Sequence, residues 1–564
     1  MPELNSRSSA LPNQVFDVLV IGGGITGAWI ALDCSLRGLS TVLIEKGDFG
    51  SATSMRSSRI LHGGIRYLQQ LEFNKVRESS KERSFLTESA PHMVEHVPFI
   101  VPTYPGFRKG HAFLYAGMLA YRLLTSGTQA ILSDSSTRVP RDRAIGQEEI
   151  GRDGRIGSDD MTGGRILYEA QIQSTERMTL GVIEKARAHG ALTLNYMEML
   201  AYSVQDKRVS GVSARDLVTS ETLEVRSRLV INAAGPWCDR VNNDGSLHRL
   251  NTGFARGAHI ITRPLLGHYA VALPSAFRSE GVATRGHRHI FVIPWRNHSL
   301  IGTSYMEAQE PSLGLVPTEQ EIEQLIESVN QSVPRAELSR SDVLQSFAGY
   351  YPLQSESIEH GVYQGTGEYR LVDHEVVDSV GGLITALGAK FTTARRLAEM
   401  TAQLAEEKIN RKKRPKTHTT RGIKLPGGKI SNIDRFRREA IQRYAALWPE
   451  KTCRHLINSY GTRIEDIAEL CRQQSTLAKP LMNDRDTIAA QIVWSARHES
   501  VVHLSDILFR RTDLCLLGDP GDEVLTNCAG LAAETLDWSP DRQANEVKMV
   551  RAELNQSIPG LRQE

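Results

Sequence analysis

The sequence predicts an α/β fold that opens with a strand, a helix and a second strand parallel to the first. An apolar run that ends at Ile21 is typical of a buried strand. Gly22, Gly24 and Gly27 follow it with the spacing G-x-G-x-x-G, directly ahead of a helical pattern. A second apolar run, over residues 41–44, predicts the next strand. Together these observations predict a Rossmann-like unit at the start of the chain.

Each glycine of this turn has a physical reason to be there. Gly22 permits the tight turn from strand to helix, Gly24 leaves room for a pyrophosphate, and Gly27 allows the helix and the strand to pack closely. The free N–H groups at the helix N-terminus then face the phosphates. Glu45 ends the second strand, where a carboxylate binds a ribose 2′-hydroxyl and disfavours a 2′-phosphate. The unit is therefore predicted to bind NAD or FAD, and its N-terminal position favours FAD.

Composition excludes several classes of protein. The chain has 564 residues, of which 40% are hydrophobic and 23% charged, as expected of a folded globular protein. Lys and Arg number 67 against 65 Asp and Glu, so no charge excess points to nucleic acid as a partner. The 6 cysteines form no C-x-x-C pair and show no metal spacing. We expect reduced thiols in a cytoplasmic protein, and no metal site.

Membrane contact is expected to be peripheral at most, because no window of 18 apolar residues occurs. Residues 1–15 are polar and predict a disordered tail. The best candidate for surface contact is the apolar helical pattern FRKGHAFLYAGMLAYRLL over residues 107–124, which basic residues flank. A core helix with solvated ends is the preferred interpretation of this segment, and binding to a membrane surface is the alternative.

Several motifs resemble those of one enzyme family. SATS, SSRILHGGIRYL and SAPHMV occur within residues 51–94. VINAAGPW, FARGAHII, FVIPW, LIGTS and LGAKFTTARRLAE follow in that order. The chain resembles the FAD-dependent, quinone-linked glycerol-3-phosphate dehydrogenases, which have the D-amino-acid-oxidase-like fold, over roughly residues 16–555.

The resemblance implies an α/β (α+β) flavoprotein. A Rossmann-like FAD domain would be interleaved with an antiparallel-sheet substrate domain, and a C-terminal helical cap would follow. The FAD part would use about 16–90, 165–245 and 375–407, the substrate part about 91–164 and 246–374, and the cap 430–555. Between them, the basic residues 408–429 predict a solvated linker, with a patch for anionic lipid as the alternative. The RHE and RRT segments of the cap predict structural ion pairs.

The resemblance also implies the residues that contact FAD. They are Gly22, Gly24, Gly27, Glu45, Lys46, Thr53, Ser54, Ser58, His62, Gly63, Gly64, Ala234, Gly235, Gly388, Lys390 and Thr392. The turn at Ala234 and Gly235 would lie at the carboxyl edge of a sheet, where cofactors bind. The segment from Gly388 to Thr392 would lie at a helix N-terminus, whose donors favour electron density on the flavin.

Four residues carry the chemistry that the resemblance implies. Oxidation of a secondary alcohol removes the hydroxyl proton and transfers a hydride to the flavin. His259 matches the family's active-site histidine, and a near-neutral pKa would make it a workable base. Arg66 and Tyr67 would orient the substrate. Lys390 would lie near the isoalloxazine and stabilise the anionic reduced flavin.

The substrate side of the pattern departs from the family. The family's G-x-R-P-L segment supplies an arginine for the substrate phosphate, but this chain has GYYPL, with Tyr351 at that position. GTTD becomes GTSY, ending at Tyr305. A second family arginine, in an ITRDY-like segment, has no equivalent before Arg370. A charged hydrogen bond is worth about 1.5–3 kcal/mol, so two losses weaken phosphate binding about a hundredfold or more.

These departures leave two explanations open for the substrate. Arg66, Arg256 or Arg370 binds the phosphate in place of the missing arginines, or the substrate is a polyol, hydroxy acid or amine without a phosphate.

The expected activity is oxidation of sn-glycerol 3-phosphate to dihydroxyacetone phosphate, with a quinone as electron acceptor. An oxidase that uses oxygen, a flavin-binding relative without turnover and, least of all, an NAD enzyme are the alternatives. The expected location is the cytoplasm or, peripherally, the cytoplasmic face of a membrane, and the oligomeric state is open.

Overall fold

The structure is a computed structural model of the 564-residue chain. It describes residues 11, 14–68, 71–106, 110–154, 161–242, 247, 250, 253–274, 289–308, 311, 315–353, 369–410 and 420–561. The predicted tail lies outside the described residues except for 11 and 14–15, and so do residues 411–419 of the predicted linker.

The described strands form two sheets. They are β1 (Val15–Ile21), β2 (Thr41–Ile44), β3 (Ile60–Leu61), β4 (Val94–Thr103), β5 (Arg143–Ile145), β6 (Gly163–Ile172), β7 (Leu192–Leu194), β8 (Met197–Gln205), β9 (Arg208–Asp216), β10 (Thr222–Asn232), β11 (Phe254–Thr262), β12 (Ala270–Pro274), β13 (His289–Trp295), β14 (His298–Gly302), β15 (Met306–Ala308), β16 (Val343–Pro352), β17 (Arg370–Asp373) and β18 (Leu383–Leu387).

The helices lie against these sheets or in the C-terminal part. They are α1 (Ile25–Leu36), α2 (Ile65–Leu68), α3 (Phe73–Ser89), α4 (His111–Leu124), α5 (Gln147–Glu149), α6 (Thr175–Arg187), α7 (Cys238–Val241), α8 (Glu319–Ser332), α9 (His374–Val377), α10 (Ala394–Ile409), α11 (Ile433–Arg443), α12 (Glu450–Tyr460), α13 (Ile464–Gln473), α14 (Ala489–His498), α15 (Leu504–Asp506), α16 (Asp522–Leu536) and α17 (Pro540–Ser557).

The first sheet has the order β17-β18-β10-β1-β2-β7, and β9 and β8 extend it from β10. Strands β18, β10, β1, β2 and β7 are parallel, and β17 is antiparallel to β18. Helices α1, α6 and α10 cover one face of this sheet. The strand residues are apolar on both faces, as is usual in parallel sheets. Because the central strands are parallel, the carboxyl ends of β1, β2, β10 and β18 meet at one edge.

The second sheet has the order β15-β11-β14-β13-β12-β4-β6-β3, with β16 on β11 and β5 on β6. Its described pairs are antiparallel except β12 with β4. Its strands alternate along the chain with those of the first sheet. The predicted architecture, a Rossmann-like sheet interleaved with a mostly antiparallel one, is confirmed.

The C-terminal part is helical from α11 to α17, and the short helix α15 continues as a π-helical turn, Ile507–Arg511. Its apolar side chains form one cluster among its own helices and another that includes residues of the second sheet such as Phe99, Ile293 and Phe347. The helical cap that the sequence predicts therefore packs directly on the oxidoreductase part.

The preferred interpretation of residues 107–124 is wrong. Only Met118 is buried in α4, and four of the large apolar side chains of this helix are exposed. Their exposed fractions are 49% for Phe113, 47% for Tyr115, 43% for Leu119 and 70% for Leu123. Helix α4 is a surface helix rather than a core helix, because little of the rest of the described structure covers this face.

None of the helices in the described ranges is long and apolar enough to cross a bilayer. All six cysteines are buried free thiols.

Candidate active site

A single cavity of about 1200 Å³ lies between the two sheets. It begins at the carboxyl edge of β1, β2, β10 and β18 and extends to β11 and β16. Small-molecule cavities usually have volumes of about 300–1,000 Å³, so this one has room for a dinucleotide and a small substrate together.

The glycine turn has the geometry that its spacing predicts. Gly22 has a φ of +105°, a conformation that favours glycine. A Cβ on Gly27 would lie 1.9 Å from the carbonyl oxygen of Gly22, so only glycine allows α1 to pack this closely on β1. Glu45 accepts hydrogen bonds from the backbone N–H of Gly23 at 2.6 Å and of Gly47 at 2.8 Å. Burial raises the pKa of this carboxyl, although these two donors oppose the shift.

The serine-rich loop after β2, residues 47–58, is fastened to the glycine turn. The hydroxyl of Ser54 accepts a hydrogen bond from the N–H of Ile25, the first residue of α1, at 2.9 Å. The N–H of Gly50 donates to the carbonyl oxygen of Gly23 at 3.0 Å. Most of this loop, including Thr53 and Ser58, lines the cavity. The loop and the turn therefore form one continuous wall.

Most of the residues predicted to contact the cofactor line this cavity. They are Gly22, Gly24, Glu45, Lys46, Thr53, Ser54, Ser58, His62, Gly64, Ala234, Gly235, Gly388, Lys390 and Thr392. Gly27 lies beneath the turn. At Gly63 a Cβ would lie 2.2 Å from the Tyr121 hydroxyl, so this glycine serves close packing around α4.

His259, on β11, also lines the cavity, and its ring is held from two sides. Its Nε2 lies 2.9 Å from the hydroxyl of Ser58, and the ring stacks on Phe347 with centroids 5.3 Å apart. Burial, with a smaller contribution from the charge of Arg59, lowers the pKa of His259 to about 3. The expected near-neutral pKa is therefore wrong, because the sequence does not show how completely the ring is buried. His259 is neutral at physiological pH.

Lys390 and Tyr67 meet across the cavity. The ammonium nitrogen of Lys390 lies 4.2 Å from the centroid of the Tyr67 ring, within the range of a cation–π contact. Lys390 belongs to the loop between β18 and α10. Helix α10 begins directly after its N-cap Thr393, so Lys390 lies near a helix N-terminus as predicted. The backbone of Arg66 lies in α2, but its side chain lies outside the described part of the structure.

The substrate side of the cavity contains Tyr351, on β16, opposite Ala255 of β11. Its ring centroid is 6.3 Å from that of Tyr305, which does not itself line the cavity. Gly257 and Gly349 pair across the two strands and also line the cavity. A Cβ on Gly257 would lie 2.2 Å from the Thr303 hydroxyl, and one on Gly349 would lie 2.8 Å from the carbonyl oxygen of Arg56, so both glycines serve close packing at this wall.

Two arginines considered as replacements for the missing phosphate ligands do not line the cavity. Arg256 donates to Glu321 of α8 at 2.5 Å, and this ion pair is nearly buried. Arg370 lies on β17 and donates to the carbonyl oxygen of Leu250 at 2.6 Å. Both side chains bind groups of the protein itself, which disfavours them as phosphate ligands.

Comparison with known proteins identifies the family of this chain. A model described as FAD dependent oxidoreductase (DAO) matches residues 17–404, and one described as the C-terminal domain of alpha-glycerophosphate oxidase matches residues 418–543. A glycerol-3-phosphate dehydrogenase of Synechocystis sp. is 30% identical over 563 residues, which cover 97% of this chain and 98% of the relative. The chain belongs to the FAD-dependent glycerol-3-phosphate dehydrogenase family.

Further relatives and a solved structure agree with this family. A mitochondrial glycerol-3-phosphate dehydrogenase of Bos taurus is 29% identical and covers 95% of this chain and 72% of its own length. The glycerol-3-phosphate dehydrogenase of Bacillus halodurans, solved in complex with FAD, has a TM-score of 0.75 at 24% identity and covers 99% of this chain and 98% of its own. This likeness confirms the predicted fold. The chain is an FAD-dependent oxidoreductase, so the choice of FAD over NAD is confirmed.

The residues of this family member fit its cofactor. The hydroxyl of Thr53, the indole N–H of Trp237 and Nδ1 of His259 are buried and have no hydrogen-bond partner among the described residues. All three side chains border the same cavity. Unpaired polar atoms that converge on one cavity are expected where a polar ligand supplies the partners. No described group of His, Cys, Asp and Glu is arranged to hold a metal ion.

Sequence reasoning missed Glu169, on β6. Its carboxylate accepts hydrogen bonds from the N–H of Gly63 at 2.8 Å and from Arg83 at 2.9 Å. Burial opposes its ionisation, but His62 and Arg83 outweigh burial and lower its pKa. An ionised Glu169 fixes the start of the segment that carries Tyr67. The available signal was a lone acid in the apolar strand ILYEAQI.

Proposed function

We propose that this enzyme oxidises sn-glycerol 3-phosphate to dihydroxyacetone phosphate and passes the electrons to a quinone. One observation carries the proposal: a single cavity unites the glycine turn with His259, Tyr67 and Lys390. Full-length similarity to a protein named glycerol-3-phosphate dehydrogenase supports the choice of substrate.

The chain's own residues would hold and deprotonate the alcohol. FAD, when bound, supplies the hydride acceptor. His259 is neutral, and with Nε2 donating to Ser58 the unpaired Nδ1 would carry the lone pair that accepts the substrate hydroxyl proton. Ser58 and Phe347 fix the plane of this ring. His259 would take the hydroxyl proton as the hydride leaves the carbon.

The substrate phosphate would bind Arg66 and Lys390. Lys390 lines the cavity, and Arg66 directly precedes Tyr67 in α2, whose side chain also lines it. The protein partners of Arg256 and Arg370 disfavour these two residues for this role. Tyr67, Arg66 and Lys390 would then place the secondary hydroxyl against His259.

The proposed quinone acceptor is supported by α4. Phe113, Leu114, Gly117 and Met118 of this helix line the cavity, while Leu119 and Leu123 face solvent. An exposed apolar helix of this kind binds at a membrane interface. We therefore propose peripheral membrane contact through α4, which would bring the cavity mouth to a quinone dissolved in lipid.

The test is anaerobic bleaching of the bound flavin by glycerol 3-phosphate and by glycerol, compared side by side. Rapid bleaching by the phosphate ester alone is the expected result. If neither compound bleaches a flavin that dithionite reduces, the proposed substrate is wrong. Release of peroxide during turnover in air, in place of quinone reduction, would contradict the proposed acceptor.

A second candidate is oxidation of a polyol, hydroxy acid or amine without a phosphate. Tyr351 favours it, because an aromatic residue occupies the position of a phosphate-binding arginine in the family. Bleaching by glycerol or another non-phosphorylated compound, with no response to the phosphate ester, is the outcome expected of this candidate.

A further inference from the structure

We propose that the C-terminal helical part positions the FAD-binding loop, residues 47–58, through Arg510 and Arg511, and so determines how tightly FAD is held. The inference concerns the cofactor alone, so it stands whichever alcohol is the substrate. It assigns a role to two arginines that belong neither to the cavity wall nor to the chemistry.

The first step is the position of Asp48 within the loop. The side chain of Asp48 is fully buried and points away from the cavity, whereas its neighbours Gly47 and Ser51 line the cavity. The loop also binds the glycine turn directly, through Gly50 and Ser54. A displacement at Asp48 would therefore reach the wall that faces the phosphates.

The second step is what holds Asp48. Its Oδ2 accepts from Nε of Arg510 at 2.5 Å and from Nη1 of Arg511, and its Oδ1 accepts from Nη2 of Arg511 at 2.8 Å. Nδ2 of Asn195 also lies 3.3 Å from Oδ1. Burial would raise the pKa of Asp48, but the two arginines outweigh burial and hold it well below its usual range. Asp48 is thus a buried carboxylate whose charge depends on the C-terminal part.

The third step is how the arginines are themselves anchored. Both lie on the π-helical turn that follows α15, more than 450 positions along the chain from Asp48. Arg510 donates to Asp506 at 2.6 Å, and Arg511 donates to the carbonyl oxygen of Glu499 at 2.8 Å. Asp506 also accepts from the hydroxyl of Tyr196 at 2.5 Å. Asp48 comes from the oxidoreductase part and the other three members from the C-terminal part, so the two arginines and two aspartates balance in charge only when both parts are in contact.

The fourth step joins the cluster to the strand next to the loop. The N–H of Tyr196 donates to the carbonyl oxygen of Gly47 at 3.0 Å, and the N–H of Met197 donates to that of Glu45 at 2.8 Å. Tyr196 therefore links the loop backbone to Asp506 by a second route. Loss of Arg511 removes two of the donors to the buried carboxylate of Asp48 and leaves it with Arg510 and Asn195, so the loop that carries Asp48 is held less firmly.

The test uses the full-length holoenzyme and the variant Arg511→Met. We expect the Kd for FAD, measured by titration of flavin fluorescence, to rise about 10- to 100-fold, the range typical of residues that support the direct ligands of a bound group. Hydrogen exchange of the loop peptides should also become faster. A merely structural loss of stability is separated from this role by comparison with a variant that lowers stability away from the loop.

The control is Arg463→Met, which removes another ion pair between the C-terminal part and the oxidoreductase part, with Glu184 at 2.5 Å. This pair does not touch the loop, so FAD affinity and loop exchange should stay as in the wild type while thermal stability falls. FAD binding by Arg511→Met as tight as that of the control would overturn the inference.

A charge-balanced variant covers the case in which Arg511→Met does not fold. Asp48→Asn combined with Arg510→Met leaves one arginine and one aspartate in the cluster, and it should fold but bind FAD more weakly. Wild-type affinity in this double variant would also overturn the inference. Failure of the wild type itself to bind FAD would instead contradict the cofactor assignment.

Discussion

His259, the proposed base, is a neutral ring held in place by its neighbours. Its ring contacts Ser58 and Phe347, and its burial removes the positive charge that an exposed histidine carries part of the time. A neutral imidazole can accept the hydroxyl proton at every physiological pH, although its lowered pKa makes it a weaker base. The position of His259 therefore contributes more to the proposed proton transfer than its basicity does.

Substitution of His259 tests this role. His259→Asn should slow flavin reduction by glycerol 3-phosphate about 10²- to 10⁴-fold, the usual contribution of a positioned general base. Stopped-flow absorbance under anaerobic conditions measures the rate. Ser58→Ala should have a much smaller effect, because Phe347 still holds the ring. A His259→Asn rate within tenfold of the wild type would refute the assignment.

Tyr351 decides between the two substrate classes. If the substrate carries a phosphate, Tyr351→Arg restores a charged hydrogen bond worth about 1.5–3 kcal/mol and tightens substrate binding at least tenfold. Titration of flavin bleaching against glycerol 3-phosphate measures the change, with Tyr351→Gln as the uncharged control. No gain over Tyr351→Gln would favour a substrate without a phosphate.

At the scale of single residues, the motifs predicted which side chains line the cavity, but not their pKa values or ion pairs. His259, Tyr67 and Lys390 were brought together by resemblance to the family, and all three line the cavity. The pKa of His259 and the ion pair of Arg256 with Glu321 depend on packing between distant parts of the chain. One sequence contains no signal for such pairs.

At the scale of elements, helix α4 exposes apolar side chains that the rest of the described structure leaves largely uncovered. Its apolar side chains are too exposed for a core helix and too few for a spanning one. The sequence predicted an apolar helix with basic flanks, but a helical pattern alone does not say what covers the apolar side chains. That depends on whether a neighbouring element of the same chain reaches it.

Charged substitutions on α4 test membrane contact. Leu119→Glu and Leu123→Glu should each weaken binding to phospholipid vesicles about tenfold or more, because a buried leucine contributes about 1.5–3 kcal/mol. Sedimentation with vesicles measures binding, and flavin bleaching should be unchanged. Met549→Glu, on α17, is the matched control because Met549 is also half exposed. Equal vesicle binding by all three variants would exclude α4 as the contact.

Two helical glycines make a matched pair. Gly27→Ala places a methyl group 1.9 Å from the carbonyl of Gly22, so we expect loss of FAD binding and a lower melting temperature. Gly530→Ala, within α16, meets no atom within 4 Å and should raise stability by about 0.5–1 kcal/mol, as alanine does in helices. Calorimetry and flavin content distinguish the two. Normal FAD content in Gly27→Ala would contradict the close packing described above.

At the scale of the whole molecule, the buried histidines should make the folded protein less stable in acid. Burial lowers the pKa of both His92 and His259 from 6.5 to about 3. Between these values the unfolded chain binds more protons than the folded one, so the free energy of unfolding falls as the pH falls from about 6.5 towards 3. At pH 5 each of the two histidines should lower the free energy of unfolding by about 2 kcal/mol.

Urea unfolding at pH 7 and pH 5 checks this expectation. His92→Gln removes one titrating group outside the active site, so its loss of stability between the two pH values should be smaller than that of the wild type by about 2 kcal/mol. An unchanged loss would show that other groups cause the acid effect.

The interleaved order of the strands has a consequence for how the protein is made. The first sheet needs β1, from the start of the chain, beside β10, and β10 beside β18, and both β10 and β18 come much later in the chain. A ribosome adds about 5–20 residues per second, so roughly 20–70 s pass between the synthesis of β1 and that of β18, the last parallel strand of this sheet. Until then the sheet that carries the glycine turn is incomplete, although β2, a direct neighbour of β1, is made early. We expect the nascent chain to depend on chaperones until residue 387 has left the ribosome, and the FAD site to form only afterwards.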